Sequence, residues 1–257
     1  MDIKRQSIAL YTLVRREISR MFRISSQVFL PPVITMSLYF LIFGNLIGSR
    51  IGLLDGVSYP LFIAPGLIMM SVITNAYSNV STSLFSVRFQ QSVEEILVSP
   101  MHDGLLLLGY VLGGVLRGMV VAILVFIVSF FFLDAFPIHP GLTLLVILLV
   151  SAVFSLAGFT NGMLARDFDD VMIVPTFILT PLTYLGGVFY TTKMLSPFWS
   201  YVSHLNPILY MVNALRYAMI GQEEVSFLMA IAIVFALFVG FVALNMVLLK
   251  KGTGLRE

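Results

Sequence analysis

Few side chains in this 257-residue sequence have the types and spacing that covalent or metal chemistry requires. The histidines His102, His139 and His204 are far apart in different connecting segments, so we do not expect a shared metal site. With no cysteine, the chain has neither disulfides nor thiolate ligands. It has no Gly-x-Ser-x-Gly, His-Glu-x-x-His or Gly-x-x-x-x-Gly-Lys-Ser/Thr motif. These absences make an intramembrane hydrolase or protease less expected, and we expect no cofactor bound by this chain. Energy, if the protein uses any, must come from elsewhere.

Polar side chains that interrupt the long apolar stretches are the remaining candidates for function. Arg117 is the only charge deep within such a stretch, where an arginine costs about 2.5–3.5 kcal/mol on insertion scales. It either reaches toward the membrane surface, pairs with a neighbouring carboxylate, or contacts a substrate. The second stretch carries a polar stripe at helical spacing: Thr74, Asn75, Ser78, Asn79, Ser81 and Thr82. The stripe either lines a route for a polar substrate or bonds across a helix interface.

The elements that must position these residues are predicted to be membrane-spanning helices. Hydrophobic residues make up 59% of the chain and charged residues 11%, with a mean hydropathy of +0.99, which excludes an ordinary soluble protein. The net charge of +2 is too small for a nucleic-acid surface, so we expect contact with a lipid bilayer and no nucleic acid. The Gly158-x-x-x-Gly162 spacing predicts close helix packing. Continuous apolar windows of about 20 residues predict spans at residues 28–47, 59–85, 105–133, 142–165, 171–190 and 227–249.

The predicted fold class is therefore an all-α polytopic membrane protein, with six spans in a transmembrane domain of residues 28–257. Lysine and arginine predict its orientation. Most of them fall on one side: Lys4, Arg5, Arg15, Arg16, Arg20, Arg23, Arg88, Arg166, Lys250, Lys251 and Arg256. Arg50, Lys193 and Arg216 fall on the other side. Under the positive-inside rule the first side is cytoplasmic, and an even number of spans places both termini there.

The segment before the first span, residues 1–27, is predicted to form an amphipathic helix. The apolar face of this helix holds Leu10, Val14, Ile18 and Met21, and the opposite face holds Arg16, Arg20 and Arg23. The pattern predicts either a helix lying in the cytoplasmic membrane interface or an ordinary basic flank that fixes topology. No small-residue cleavage site follows the apolar stretch, so we expect the segment to be retained.

Two connections between spans also have helical patterns. Residues 191–226 are too apolar for an ordinary loop, and Asn206-Pro207 divides them into two segments too short to span. They predict a re-entrant or interfacial helical hairpin on the outer side. On the inner side, residues 85–103 are predicted to form a short amphipathic helix parallel to the membrane, which either binds a partner or is solvated.

Three stretches, in their order between the predicted spans, resemble the membrane subunit of an ABC exporter of the ABC-2 type. They are VRFQQSVEEILVSPMHDGLLLLGYVLGGVLRG (residues 87–118), ARDFDD (165–170) and GGVFYTTKMLSPFWSYVSHLNPILYMVNALRYAMIG (186–221). The last is the most specific, since it runs from the fifth span through Asn-Pro to an arginine-containing helix. Within that family the chain is similar to stand-alone bacterial permeases whose relatives export drugs, lipo-oligosaccharides or polysaccharides.

The resemblance implies a multi-pass permease of the bacterial inner membrane that moves an amphipathic, lipid-linked, polysaccharide or drug-like substrate outward. ATP and Mg²⁺ would be bound by a separate ATPase subunit, and two copies of this chain would work with two such subunits. The coupling helix that docks on the ATPase would hold Arg88, Glu94, Glu95, Ile96 and Pro100. The hairpin that caps the outer end of the route would hold Asn206, Pro207, Tyr210 and Arg216.

Two other functions stay open at this point. A secondary transporter or channel would normally need more carboxylates inside the membrane than the predicted spans contain. A membrane-embedded enzyme would need an acid, a base or a metal set that converges on one place, and the sequence shows none. Recovery of a stoichiometric ATPase with the solubilised protein would distinguish the exporter from both.

Overall fold

The computed structural model describes residues 3–54, 56–90, 101–133 and 136–252. The helices of this part of the chain are α1 (Ile3–Arg23), α2 (Ser25–Ile51), α3 (Tyr59–Phe89), α4 (Asp103–Leu133), α5 (Pro140–Leu164), α6 (Phe168–Ile173, Val174–Leu179 and Thr180–Tyr184), α7 (Pro197–Leu205), α8 (Pro207–Ile220) and α9 (Phe227–Lys251). A short 3-10 turn, Thr192–Met194, lies between α6 and α7. Two short antiparallel strands, β1 (Leu53–Leu54) and β2 (Val57–Ser58), join α2 to α3.

Five of the described helices, α2, α3, α4, α5 and α9, are long and apolar enough to cross a membrane. They overlap five of the six stretches that hydropathy predicts as spans. Both α3 and α4 contain 31 residues, which corresponds to about 46 Å of helix at 1.5 Å per residue. The hydrocarbon core of a bilayer is only about 30 Å thick, so these two helices extend beyond it.

The predicted span 171–190 does not form one long helix. The three parts of α6 contain 6, 6 and 5 residues, and the middle part, with Pro175, is π-helical. Proline has no N–H to donate and its ring clashes with the preceding turn, so the regular hydrogen-bond pattern is lost there. The carbonyl of Val171, four residues before Pro175, instead accepts from the side-chain amide of Asn161 at 3.1 Å. Beyond Tyr184 the chain leaves the helix and turns at Gly187, whose φ of +70° favours glycine.

The bundle is centred on α3. In the most apolar 18-residue stretch of α3, 78% of the residues are buried. The corresponding share is 18% in α2 and 11% in α9. The backbones of α3 and α5 approach closely because Gly158 has no room for a side chain beside the Tyr77 carbonyl. A Cβ at Gly162 would likewise lie 2.9 Å from the Ser81 carbonyl oxygen. The close packing predicted from the Gly-x-x-x-Gly spacing is confirmed.

Candidate functional site

The first helix packs against the bundle where α3 ends and α4 begins, and we call this the α1 end of the bundle. The buried residues of α1 are Leu13, Glu17 and Met21. Three residues of the predicted apolar face, Leu10, Val14 and Ile18, are only half-buried. The buried stripe therefore overlaps the predicted apolar face at Met21 but is rotated toward Leu13 and Glu17. The reason lies on α4, where Gly109 and Gly113 leave a groove that Leu13 and Glu17 enter.

Two arginines of α1 contact protein rather than pointing away from it. The Nη2 of Arg20 donates to the side-chain oxygen of Asn79 at 2.9 Å and to its backbone oxygen at 2.8 Å. The Nη2 of Arg16 donates to the Tyr110 hydroxyl of α4 at 2.9 Å. The sequence places both arginines on a face turned toward lipid headgroups, but their guanidinium groups bind α3 and α4. Arg23, the third residue of that face, is exposed.

Arg117 is joined to the polar stripe of α3. Its Nε and Nη2 donate to the side-chain oxygen of Asn75, at 3.3 and 3.1 Å. Asn75 in turn donates to the Ser71 carbonyl of its own helix at 3.0 Å. Of the three possibilities for Arg117, the structure shows pairing with a neighbour, and the partner in these contacts is an amide rather than a carboxylate. For Asn75 and Asn79 these contacts favour the helix-interface alternative.

Other hydroxyls of the stripe lie on a more open side of α3. Thr74 is exposed, and its hydroxyl donates to the Met70 carbonyl at 3.0 Å. Ser78 is half-buried, and its carbonyl accepts from the Thr82 hydroxyl at 2.6 Å. Both hydrogen bonds lie within α3, so neither of them binds this side of the stripe to another helix. The stripe thus has a side that packs on protein and a side that is open.

The predicted coupling helix lies mostly outside the described residues, since Glu94, Glu95, Ile96 and Pro100 all fall between 91 and 100. Arg88 is described, in the last turn of α3. Its Nη1 donates to the carbonyls of Gly162 and Ala165, at 2.8 and 3.0 Å. An arginine that satisfies the last carbonyls of a neighbouring helix stabilises that helix end. Arg88 therefore fixes the end of α5 beside the start of the 91–100 connection.

The predicted hairpin is present as α7 and α8, which are separated by Asn206. The side-chain oxygen of Asn206 accepts from the Ile208 N–H at 3.0 Å, and its amide donates to the Leu182 carbonyl at 2.6 Å. Pro207 occupies the first position of α8, where its missing N–H has no cost. The Tyr210 hydroxyl donates to the His204 carbonyl at 2.8 Å. These residues hold the turn between the two short helices and attach it to α6.

Arg216 is 1% exposed and connects α8 to two other parts of the bundle. Its Nη2 donates to the Gly187 carbonyl at 2.6 Å, in the turn after α6. Its guanidinium carbon lies 3.9 Å from the centroid of the Phe62 ring of α3, within cation–π range. A polar cavity of about 260 Å³ adjoins it, lined by Phe62, Thr191, Lys193, Arg216, Gln222, Glu223 and Glu224. Arg216 therefore joins α8, α3 and the α6 turn at the end of the bundle opposite α1.

Two acidic residues outside the predicted sites, Glu224 and Glu17, take part in tertiary contacts. Glu224 accepts hydrogen bonds from the hydroxyl of Thr192 and, at 2.6 Å, from its N–H, which joins the two ends of the segment that contains the hairpin. Glu17 is buried in α1. A signal for Glu17 exists in the sequence, since it is the one acidic residue among the six basic residues of α1. An isolated acid at helical spacing from Arg20 predicts an ion pair.

The polar contacts of the described residues join helices and do not converge on a reacting centre. Among these residues no group of three or more His, Cys, Asp or Glu side chains could hold a metal ion. Asn75, Asn79, Asn206 and Arg216 each bind a backbone or side-chain group of their own or a neighbouring helix. The arrangement is that of a tightly packed helical bundle with an open polar strip and polar groups at both ends.

Comparison with known proteins assigns this bundle to a family. Residues 8–220 match the family described as ABC-2 type transporter. The chain is 51% identical over 251 residues to the inner membrane transport permease YadH of Escherichia coli (strain K12), covering 97% of this chain and 98% of that protein. It is 25% identical over 188 residues to nodulation protein J of Neorhizobium galegae, covering 70% of this chain and 69% of that protein.

The matched residues include α3, α4, α5, the hairpin helices and most of α1. The resemblance seen in three separate stretches of sequence is therefore confirmed along most of the chain. On this evidence it is a multi-pass inner-membrane transport permease, and it belongs to the ABC-2 type transporter family.

Proposed function

We propose that this chain is the membrane-spanning permease subunit of an ATP-driven exporter that is powered by a separate ATP-binding subunit. The observation that carries this proposal is the family match over residues 8–220, which takes in most of the bundle, the 91–100 connection and the hairpin. The relative from Escherichia coli, similar over almost the whole chain, is named a transport permease, which supports transport rather than catalysis.

In this proposal the protein has six spans, with α6 as the short fifth span. An even number of spans puts both termini on one side, which we assign to the cytoplasm. The charge distribution supports this orientation, since the α1 end carries exposed Arg5, Arg15 and Arg23 together with Lys250 and Lys251 of α9. Basic residues accumulate on the cytoplasmic side of membrane proteins. The hairpin, with its buried Arg216, then lies at the outer end.

The energy for transport would enter through the 91–100 connection. Arg88 precedes it and is fixed to the end of α5, so a force applied to Glu94, Glu95, Ile96 and Pro100 would act on a well-anchored part of the bundle. ATP and Mg²⁺ would be bound by the partner, and two copies of this chain would work with two ATPase subunits. Closure of the ATPase pair would shift the spans from an inward-open to an outward-open arrangement.

The open side of the polar stripe is the best candidate for part of the substrate route. Thr74 is exposed and Ser78 half-buried in the middle of a membrane-spanning helix, and the Thr74 hydroxyl oxygen can still accept a hydrogen bond while it donates to Met70. A route with hydroxyls on an otherwise apolar surface suits an amphipathic cargo, such as a lipid-linked, polysaccharide or drug-like molecule. Substitution of Thr74 by Val would then reduce transport without loss of folded protein.

Affinity purification from the native membrane tests the proposal. The tagged chain, solubilised in mild detergent, is expected to bring down an ATPase in stoichiometric amount. Reversing the charge at Glu94→Arg plus Glu95→Arg should abolish this binding. The control, Glu223→Arg, reverses one charge on an exposed residue at the opposite end of the bundle and should leave binding intact. The single variant Glu94→Arg, which changes the charge by the same amount, should weaken binding. Recovery of the chain alone, with flux driven by an ion gradient, would contradict the proposal.

A further inference from the structure

Glu17 is a buried acidic side chain that the proposed transport cycle does not use. It is 1% exposed and is the one acidic residue of α1. Burying a carboxylate without compensation is costly, so its neighbours must stabilise the charge. They do so from both sides, since the Nη2 of Arg16 lies 3.3 Å from one carboxylate oxygen and the Nη2 of Arg20 lies 3.2 Å from the other.

The remaining partners of this carboxylate belong to α3 and α4. The hydroxyl of Ser83 donates directly to Glu17 Oε1 at 2.8 Å. The two arginines extend the network, because Arg20 also binds α3 and Arg16 also binds α4. We call the connected residues the Glu17 cluster: Arg16, Glu17, Arg20, Asn79, Ser83 and Tyr110. Each guanidinium therefore joins the same carboxylate to a different membrane-spanning helix.

Two further contacts attach α1 to α4 around the cluster. A Cβ at Gly113 would lie 2.8 Å from the Cβ of Glu17, so α1 and α4 touch at this point with no intervening side chain. Near the start of α1, Gln6 accepts a hydrogen bond from the backbone N–H of His102 at 3.2 Å, just before α4 begins. Since α3 and α4 are the helices that the 91–100 connection joins, α1 is attached to both of its flanks.

We propose that Glu17 is a positioning residue that holds α1 and the adjoining ends of α3 and α4 together as one rigid unit. The unit moves as a whole when the ATPase acts on the 91–100 connection. That an ATPase moves this unit rests on the proposed function. That the unit is rigid does not. Glu17→Gln leaves one neutral acceptor oxygen where Arg16, Arg20 and Ser83 share two charged ones, so α1 loosens from both spans at once.

Hydrogen–deuterium exchange of the full-length protein in phospholipid nanodiscs tests the rigidity. Glu17→Gln keeps the size of the side chain and removes its charge. Exchange of the α1 amides should accelerate by about tenfold or more, the scale expected for losing hydrogen bonds to a charged group. Ser83→Ala, which removes one bond, should give a smaller acceleration in the same helix. The exposed neighbour Arg15→Gln and the amides of α9 should not change. Unchanged protection of α1 in Glu17→Gln would overturn the proposal.

A disulfide tests whether the unit moves as one body in the complex with the ATPase. The chain has no cysteine, so Leu13→Cys with Gly109→Cys introduces a single intended bond between α1 and α4, where the two residues are in direct contact. Oxidation should leave ATP hydrolysis unchanged in the otherwise wild-type chain and restore it where Glu17→Gln has lowered it. Inhibition on oxidation would overturn the proposal. If no ATPase is recovered, the proposed function fails, whereas the exchange experiment still decides the role of Glu17.

Discussion

At the scale of single residues, this apolar bundle accommodates arginines by binding them to amides, hydroxyls and carbonyls. Arg117 binds the Asn75 amide, Arg20 binds Asn79, and Arg216 binds the Gly187 carbonyl. A buried charge that loses its partner is far more costly than a buried pair that is replaced as a whole. Each arginine is therefore stabilised by identifiable neighbours, and the effect of removing one of them can be measured.

The Asn75 and Arg117 pair gives the first prediction. Asn75→Leu leaves the Arg117 guanidinium without its acceptor inside the bundle and should destabilise the protein by about 1.5–3 kcal/mol. Replacing both, as Asn75→Leu with Arg117→Leu, should recover most of that loss because no charge is left unpaired. The measurement is thermal unfolding in detergent, with Thr74→Leu on the exposed side as control. A double variant as unstable as Asn75→Leu alone would be inconsistent with this pairing.

Arg216 gives the second prediction. Its side chain binds Gly187 and lies over the Phe62 ring, and a lysine cannot reproduce this planar geometry. Arg216→Lys should therefore lower the free energy of unfolding by about 1.5–3 kcal/mol despite keeping the charge. The exposed Arg50→Lys is the matched control and should have no measurable effect. Equal stability of the two variants would show that Arg216 acts only through its charge.

At the scale of helices, close approach of backbones determines which faces pack together. Gly158 and Gly162 bring α5 against α3, and Gly109 with Gly113 bring α1 against α4. Without a strong hydrophobic force between helices in lipid, such packing contributes much of the stability of a membrane bundle. A glycine at a contact and a glycine facing outward should therefore respond differently to the same substitution.

Gly158→Ala tests this difference. The added methyl group would overlap the Tyr77 carbonyl and push α5 from α3, at a cost of about 1–3 kcal/mol, as for other overpacked cores. Gly240→Ala on α9 meets no atom within 4 Å and should be neutral or slightly stabilising, since alanine favours helix. Unfolding temperatures of the two variants in the same detergent provide the comparison. A similar drop in both would refute a packing role for Gly158.

Most helices could be predicted from the sequence because their signals are local. Hydropathy predicts α2, α3, α4, α5 and α9, and Asn206-Pro207 predicts the division between α7 and α8. The interruption and early end of α6 depend on how Pro175 and Gly187 are accommodated, which hydropathy does not report. The buried stripe of α1 is rotated from the predicted apolar face because Gly109 and Gly113, nearly a hundred residues away, leave room for Leu13 and Glu17. The spacing of Glu17 and Arg20 is a local signal for an ion pair, but the burial of Glu17 against Ser83 depends on a residue distant in sequence. The partners of the polar stripe are distant in sequence as well.

At the scale of the whole molecule, the two ends of the bundle have different chemistry. The α1 end combines the Glu17 cluster, Arg88 and exposed basic residues, whereas the opposite end holds the hairpin, Arg216 and a polar cavity. In the proposed function the first end faces the cytoplasm, where an ATPase is available, and the second faces outward.

Single cysteines test this orientation, because the native chain has none. Ser7→Cys lies on an exposed part of α1, and Ser196→Cys lies on an exposed residue just before α7. In intact spheroplasts a membrane-impermeant maleimide should label Ser196→Cys and leave Ser7→Cys unlabelled. Permeabilisation should make both reactive, which controls for accessibility. Labelling of Ser7→Cys in intact spheroplasts would reverse the proposed orientation.

The central claim is that this chain transports only together with an ATPase, and the mass of the native complex tests it most directly. Native mass spectrometry of the particle purified from its own membrane should show two copies of the 28.6 kDa chain with two copies of an ATP-binding subunit. Glu94→Arg plus Glu95→Arg should convert this particle to one that contains the permease alone. A wild-type particle that contains the permease and no ATPase would contradict the account.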